Sequence, residues 1–138
     1  MLKIVTVALA LLAGAMTHAN AQTIGYAQAI DILAKSCGGD IQKYCSNATL
    51  ANFAINDCLA QNRAKLSNQC ATDIAQVRQS LEARASAQAS AEKVCATDIR
   101  RLCPMTKPGR GHILNCLIKA ERSASKACNT AITNAGWR

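Results

Sequence analysis

Apolar residues recur at helical intervals along most of this chain. In the stretch IGYAQAIDILAKSC, Ile30, Leu33, Ala34 and Cys37 fall on one face of a helix. Ile74, Val77, Leu81, Ala85 and Ala89 extend a second stripe toward the C-terminal half. No Gly or Pro interrupts the chain between Asp40 and Cys103, where Ala, Leu, Gln, Lys and Arg, all good helix formers, dominate. The middle of the chain is therefore predicted as a stiff Ala-rich helix and not a flexible linker. Gly38-Gly39 is expected to end the first helix, with Asp40 capping the next, and Asp98 is expected to cap in the same way further on. Ser67 and Ser125 stand three residues before Cys70 and Cys128, a spacing that suits the N-cap of a final helix. No convincing period-two pattern appears, so the fold class is all-α.

The first 21 residues read differently. Lys3 precedes a mostly apolar run from Ile4 to Met16, which ends in Thr17-His18-Ala19-Asn20-Ala21. A basic start, a short apolar core and an A-x-A end describe a signal peptide cut after Ala21. The run is too short for the ~20 residues that span a bilayer, so the mature chain is expected not to span a membrane and to be periplasmic or secreted. Export changes the reading of the eight cysteines, all of which lie after residue 21, because paired thiols persist as disulfides in an oxidising compartment. The mature part holds only Tyr26, Tyr44, Phe53 and Trp137 as aromatics, so a core poor in bulky side chains gains from covalent staples.

The cysteines stand at 37, 45, 58 and 70 and again at 95, 103, 116 and 128, each offset by 58 residues from its counterpart. Asp40 and Asp98, Ile41 and Ile99, Ile55 and Ile113, Leu59 and Leu117, and Ser67 and Ser125 follow the same offset. The chain is a tandem duplication, with repeat 1 over 22–80 and a basic repeat 2 over 81–138. Zinc knuckles bring two thiolates together at C-x2-4-C, whereas the closest pair here is separated by seven residues, and no metal site is assigned. C-x-x-C, the usual redox motif, is absent.

Eight cysteines allow 105 pairings, and nine if bonds stay within a repeat. If each repeat folds back as an antiparallel hairpin, nested bonds join its elements best: Cys45–Cys58 inside Cys37–Cys70, and Cys103–Cys116 inside Cys95–Cys128. A Cys37–Cys45 bond is disfavoured, since eight residues of continuous helix separate Cα atoms by about 12 Å, although the Gly-Gly break weakens that objection in repeat 1. Each loop closure contributes about 3–4 kcal/mol on the chain-entropy account, less for the second bond of a nest. The expected architecture is two disulfide-stapled helical hairpins joined by an Ala-rich helical connector.

The pattern C-x-x-D-I-x-x-x-C, followed by Cys58-Leu59 or Cys116-Leu117 and then S-x-x-C, resembles the cysteine-rich repeat family found in the cysteine-rich fibroblast growth factor receptor of the Golgi apparatus. Short exported bacterial-type proteins with one or two such repeats are similar. The resemblance implies a disulfide-bonded helical module and supplies no catalytic residues or cofactor. The growth-factor and selectin binding of the many-repeat animal protein is not carried onto a chain with two repeats.

No constellation for catalysis emerges. His112 is the single imidazole after the leader, beside a helix start, and reads as a cap or a solvated side chain. The acids are scattered, and KPGRG at 107–111 lacks P-loop spacing and reads as a turn. Charge is more informative. Residues 22–80 hold five cations and four acids, residues 81–138 ten and four. Arg100, Arg101, Lys107, Arg110, Lys119, Arg122 and Lys126 fall within or around the second hairpin and are candidate anion-binding residues. The expected partners are an anionic lipid, an acidic glycan or an acidic protein. Nucleic acid is not expected, given export and the lack of stacking aromatics. The leading reading is a non-catalytic interaction module whose basic second repeat contacts an anionic partner. A structural envelope protein without a dedicated ligand, and an enzyme or thiol-redox carrier, are the alternatives.

Overall fold

The computed structural model describes residues 22–49, 51 and 54–138, and the leader expected over 1–21 lies outside the described residues. Among the described residues five α-helices follow in order: α1 (Tyr26–Tyr44), α2 (Ala54–Gln61), α3 (Asn68–Leu102), α4 (His112–Lys119) and α5 (Lys126–Asn134), with a short 3-10 turn at Arg63–Lys65. No strand occurs among the described residues, and the fold is all-α.

The 35-residue α3 is the spine. α1 runs antiparallel to its first half and α5 antiparallel to its second, while α2 packs on α1 and α4 on α3. Residues 80 and 81 are consecutive residues within α3, so the two hairpins share one helix. α5 and α1 then lie end to end along that spine. Thr23 donates its hydroxyl to the Asn134 carbonyl at the end of α5, and the Ile24 N–H donates to Ser80 Oγ of α3 (2.9 Å). Two duplicated hairpins thus close on each other instead of forming an open stack.

Three expectations about the helices need correction. Gly38-Gly39 does not end a helix, since α1 continues through both to Tyr44. The residues on either side of the pair, Cys37 and Asp40, are both tied to the start of α3, and those ties outweigh a cost of about 1 kcal/mol per helical glycine. It follows that neither Asp40 nor Asp98 is an N-cap; each sits inside a continuous helix. The two apolar stripes are also displaced. On α3 the buried positions are Cys70, Val77, Ala91, Cys95 and Asp98, whereas Ala85 and Ala89 are exposed. Successive steps of four residues advance about 40° each around a helix, so Leu81, Ala85 and Ala89 spiral away from the face that Val77 and Cys95 share. On α1, Ala29 and Cys37 are buried while Ile30 is 66% exposed, because the ties of residues 23 and 24 turn the Ala29 side inward.

The main core belongs to the second hairpin. Cys95, Cys103, Leu117, Cys128 and Ile132 are buried together, with Ile99, Leu102, Ile113, Leu114, Cys116 and Ile118 packed around them. α5 ends on a Schellman motif: the Gly136 N–H reaches the Thr133 carbonyl, the Trp137 N–H reaches that of Ile132, and Gly136 adopts φ 70°.

Candidate anion-binding surface on the second repeat

The surface rests on a cross-link that each repeat builds twice over. Four disulfides are present: Cys37–Cys70, Cys45–Cys58, Cys95–Cys128 and Cys103–Cys116, with no free cysteine among the described residues. The outer bonds close at Cα separations of 4.8 and 4.7 Å, the inner at 5.9 and 6.2 Å, so the nest is repeated almost without change.

One turn from each outer bond lies a second link. In repeat 1 the Ser67 hydroxyl donates to Asp40 (2.7 Å) and the Ser67 N–H also donates to it (3.1 Å). The same hydroxyl accepts the Cys70 N–H (3.3 Å), so Ser67 is the N-cap of α3. In repeat 2 the Ser125 hydroxyl and N–H donate to Asp98 (2.6 and 3.1 Å), and the hydroxyl accepts the Cys128 N–H (3.2 Å) as the N-cap of α5. C-x-x-D on one helix therefore meets S-x-x-C on its antiparallel partner, Cys to Cys and Asp to Ser. The carboxylate satisfies the capping serine while the serine satisfies an orphan N–H of the new helix.

Asp98 is the stronger of the two latches. It is 4% exposed and also takes an ion pair from Arg101 (2.8 Å). The Ser125 hydroxyl foremost, then the Arg101 hydrogen bond, hold its carboxyl below the usual 3.8 against the opposing effect of desolvation. At the Arg101 position repeat 1 has Lys43, which instead lies over the Tyr44 ring, 5.0 Å from its centre.

The seven cations read from the sequence divide among different settings. Lys107 and Lys119 line one open groove of about 680 Å³, together with His112, Thr106 and Asn115. Arg122 and Lys126 line a second, of about 420 Å³, together with Arg138 and Glu121. Arg101 is held by Asp98 and donates to the Ser123 carbonyl (2.7 Å), which leaves it the least free of the set. Arg100 is exposed near the end of α3 and donates to Thr97 Oγ1 (3.3 Å). Arg110 is exposed in the turn before α4 and adopts φ 47° between Gly109 and Gly111, at φ 102° and 75°. Three successive left-handed residues turn KPGRG back into α4, where only glycine takes the two outer positions without strain.

Arg138 was not read as a site residue from the sequence. Its guanidinium donates to Glu121 (2.9 Å) and Asn129 (3.1 Å) beside the second groove. No repeat counterpart signals it. His112 opens α4 as an exposed residue, and among the described residues no three His, Cys, Asp or Glu side chains gather as a metal site. No helix among them is long and apolar enough to cross a membrane.

A family model described as a cysteine rich repeat matches residues 68–125. That span runs from the first residue of α3 to the N-cap of α5, one full period that joins the second arm of one hairpin to the first arm of the next. The chain is 29% identical to Golgi apparatus protein 1 of Mus musculus over 72 residues, 52% of this chain and 6% of that protein. It is 26% identical to Golgi apparatus protein 1 of Gallus gallus over 91 residues, 66% of this chain and 8% of that protein. The chain thus spans less than a tenth of the length of these relatives. No solved structure matches it.

Proposed function

We propose that this chain, whose residues 68–125 match the cysteine rich repeat model, is an exported, non-catalytic interaction module whose second repeat contacts an anionic partner. The observation that carries the reading is the placement of charge. Five of the ten cations of repeat 2, Lys107, Lys119, Arg122, Lys126 and Arg138, border two open grooves, and the stretch from Ile99 to Ala120 contains five cations and no acid. A fixed cationic surface on a disulfide-braced scaffold raises the local concentration of anions and spends little ordering entropy on binding. Four disulfides suit a periplasmic or extracellular setting, and the secretory-pathway relatives point the same way by name. The described residues offer acids, one exposed imidazole and capped helix ends, which suits recognition and not turnover.

The test is binding of the full mature chain to long-chain polyphosphate, a sulfated glycan and an acidic peptide at two salt concentrations. Affinity for at least one is expected to fall steeply as salt rises, and to fall again when Lys107, Lys119, Arg122 and Lys126 are changed together to Gln. Binding that ignores both salt and these four residues, or no binding at all, contradicts the reading.

A further inference from the structure

We propose that the loop between α3 and α4 docks on an anionic lipid leaflet, with Met105 entering the headgroup–acyl boundary and Lys107 and Arg110 lying among the lipid phosphates. This rests on the anionic-partner reading above and names the partner. Met105 is 92% exposed, more than any other large apolar side chain described, and Pro104 and Pro108 beside it are exposed as well. The loop is nonetheless a built feature. The Cys103–Cys116 bond closes its base, the Thr106 N–H donates to the Cys103 carbonyl, and the His112 N–H donates to that of Gly109 (3.0 Å each).

The first repeat supplies an internal contrast. The same turn starts there, with the Ala48 N–H donating to the Cys45 carbonyl (2.9 Å). Yet its sequence, SNATLANF, has Asn47 in the register of Met105, Thr49 in that of Lys107 and Asn52 in that of Arg110. At these three positions repeat 2 has an apolar side chain and two cations and repeat 1 three uncharged polar residues, while the large apolar residues of the repeat 1 stretch, Leu50 and Phe53, stand in the registers of Pro108 and Gly111. A soluble polyanion would use the cations and leave Met105 in water. A lipid leaflet uses both, because apolar side chains partition below the headgroups while Lys and Arg stems snorkel up to the phosphates. Each cation at an anionic surface strengthens partition by about fivefold.

The experiment measures co-sedimentation of the mature chain with phosphatidylglycerol–phosphatidylcholine vesicles, with pure phosphatidylcholine vesicles, and in parallel its affinity for soluble polyphosphate. Two variants install the first-repeat residues: Met105→Asn, and Lys107→Thr with Arg110→Asn. All three positions are exposed and outside the disulfides, and Asn tolerates the left-handed backbone at 110. The chain is expected to bind the phosphatidylglycerol vesicles and to bind pure phosphatidylcholine far more weakly. Met105→Asn is expected to lower vesicle partition about fivefold and leave polyphosphate affinity unchanged. The double variant is expected to lower vesicle partition about 25-fold and to weaken polyphosphate binding too. Equal binding to both vesicle types, or no effect of Met105→Asn on vesicles, overturns the lipid inference. Binding to polyphosphate but not to vesicles overturns it as well and leaves the anionic-partner reading standing; binding to neither overturns it too, and the anionic-partner reading then falls only if the sulfated glycan and the acidic peptide also fail to bind.

Discussion

The two hairpins carry the same four cysteines in the same register, yet they differ in what surrounds the staples. In repeat 2, Ile132 is 1% exposed and sits in a cluster with Leu117 and three buried cysteines. Its repeat 1 counterpart, Ile74, is only half-buried, and besides its cysteines the first hairpin buries Ala29, Leu59 and Val77. Asp98 has an arginine partner and is buried, while Asp40 has only Ser67. Covalent links set the geometry of both halves. Burial and charge then make the second half the firmer one, and it is also the half that displays its cations.

The sharpest way to probe this asymmetry is to truncate the matched isoleucines. Ile132→Ala is expected to destabilise by about 3 kcal/mol and Ile74→Ala by about 1 kcal/mol, read from chemical denaturation with disulfides intact. Equal losses would mean that the cluster around Ile132 contributes nothing beyond what repeat 1 already has.

The latches come next. Asp98→Asn is expected to lower the melting temperature more than Asp40→Asn at neutral pH, since only Asp98 also loses an ion pair. The carboxyl of Asp98 is depressed in the folded state, so its contribution is present above the ordinary value of 3.8 and is lost as pH falls through the lower folded value. The gap between the unmodified chain and Asp98→Asn should therefore narrow as melting is followed from neutral pH down into that acid range. A gap that widens on acidification contradicts the assignment.

The smallest effect has the opposite sign. Gly38 lies mid-helix with nothing within 4 Å of where a Cβ would stand, and repeat 2 has Ala96 at the same register. Gly38→Ala is expected to stabilise by up to about 1 kcal/mol, seen as a higher denaturation midpoint at unchanged slope. A loss would show that the glycine serves some purpose other than a relic of repeat 1.

This last case also shows what could be read from residues alone. The doubled cysteine register made the duplication, the helical hairpins and the serine caps legible, because spacing and capping are local and periodic. Gly38-Gly39 misled for the opposite reason: local propensity favours a stop there, but the ties of Cys37 and Asp40 to α3 span 33 and 27 residues of sequence. The role of the two aspartates was hidden in the same way. C-x-x-D and S-x-x-C are each visible as motifs, but that one completes the other is a tertiary fact. Of the basic surface, the cations themselves were legible. Their division between two grooves, the engagement of Arg101 by Asp98 and the arrival of Arg138 depend on how α4 and α5 are laid against α3.

Two nested disulfides in each repeat, none crossing to the other, hold the helices in register. Tryptic digestion of the chain without reduction, followed by mass mapping, tests this directly. Residues 36–43 are expected joined to 66–78, and 94–100 to 127–138. The inner bonds should lie within 44–63 and between 102–110 and 111–119. Peptides linked across the two repeats, or thiols that alkylate before reduction, would contradict the account.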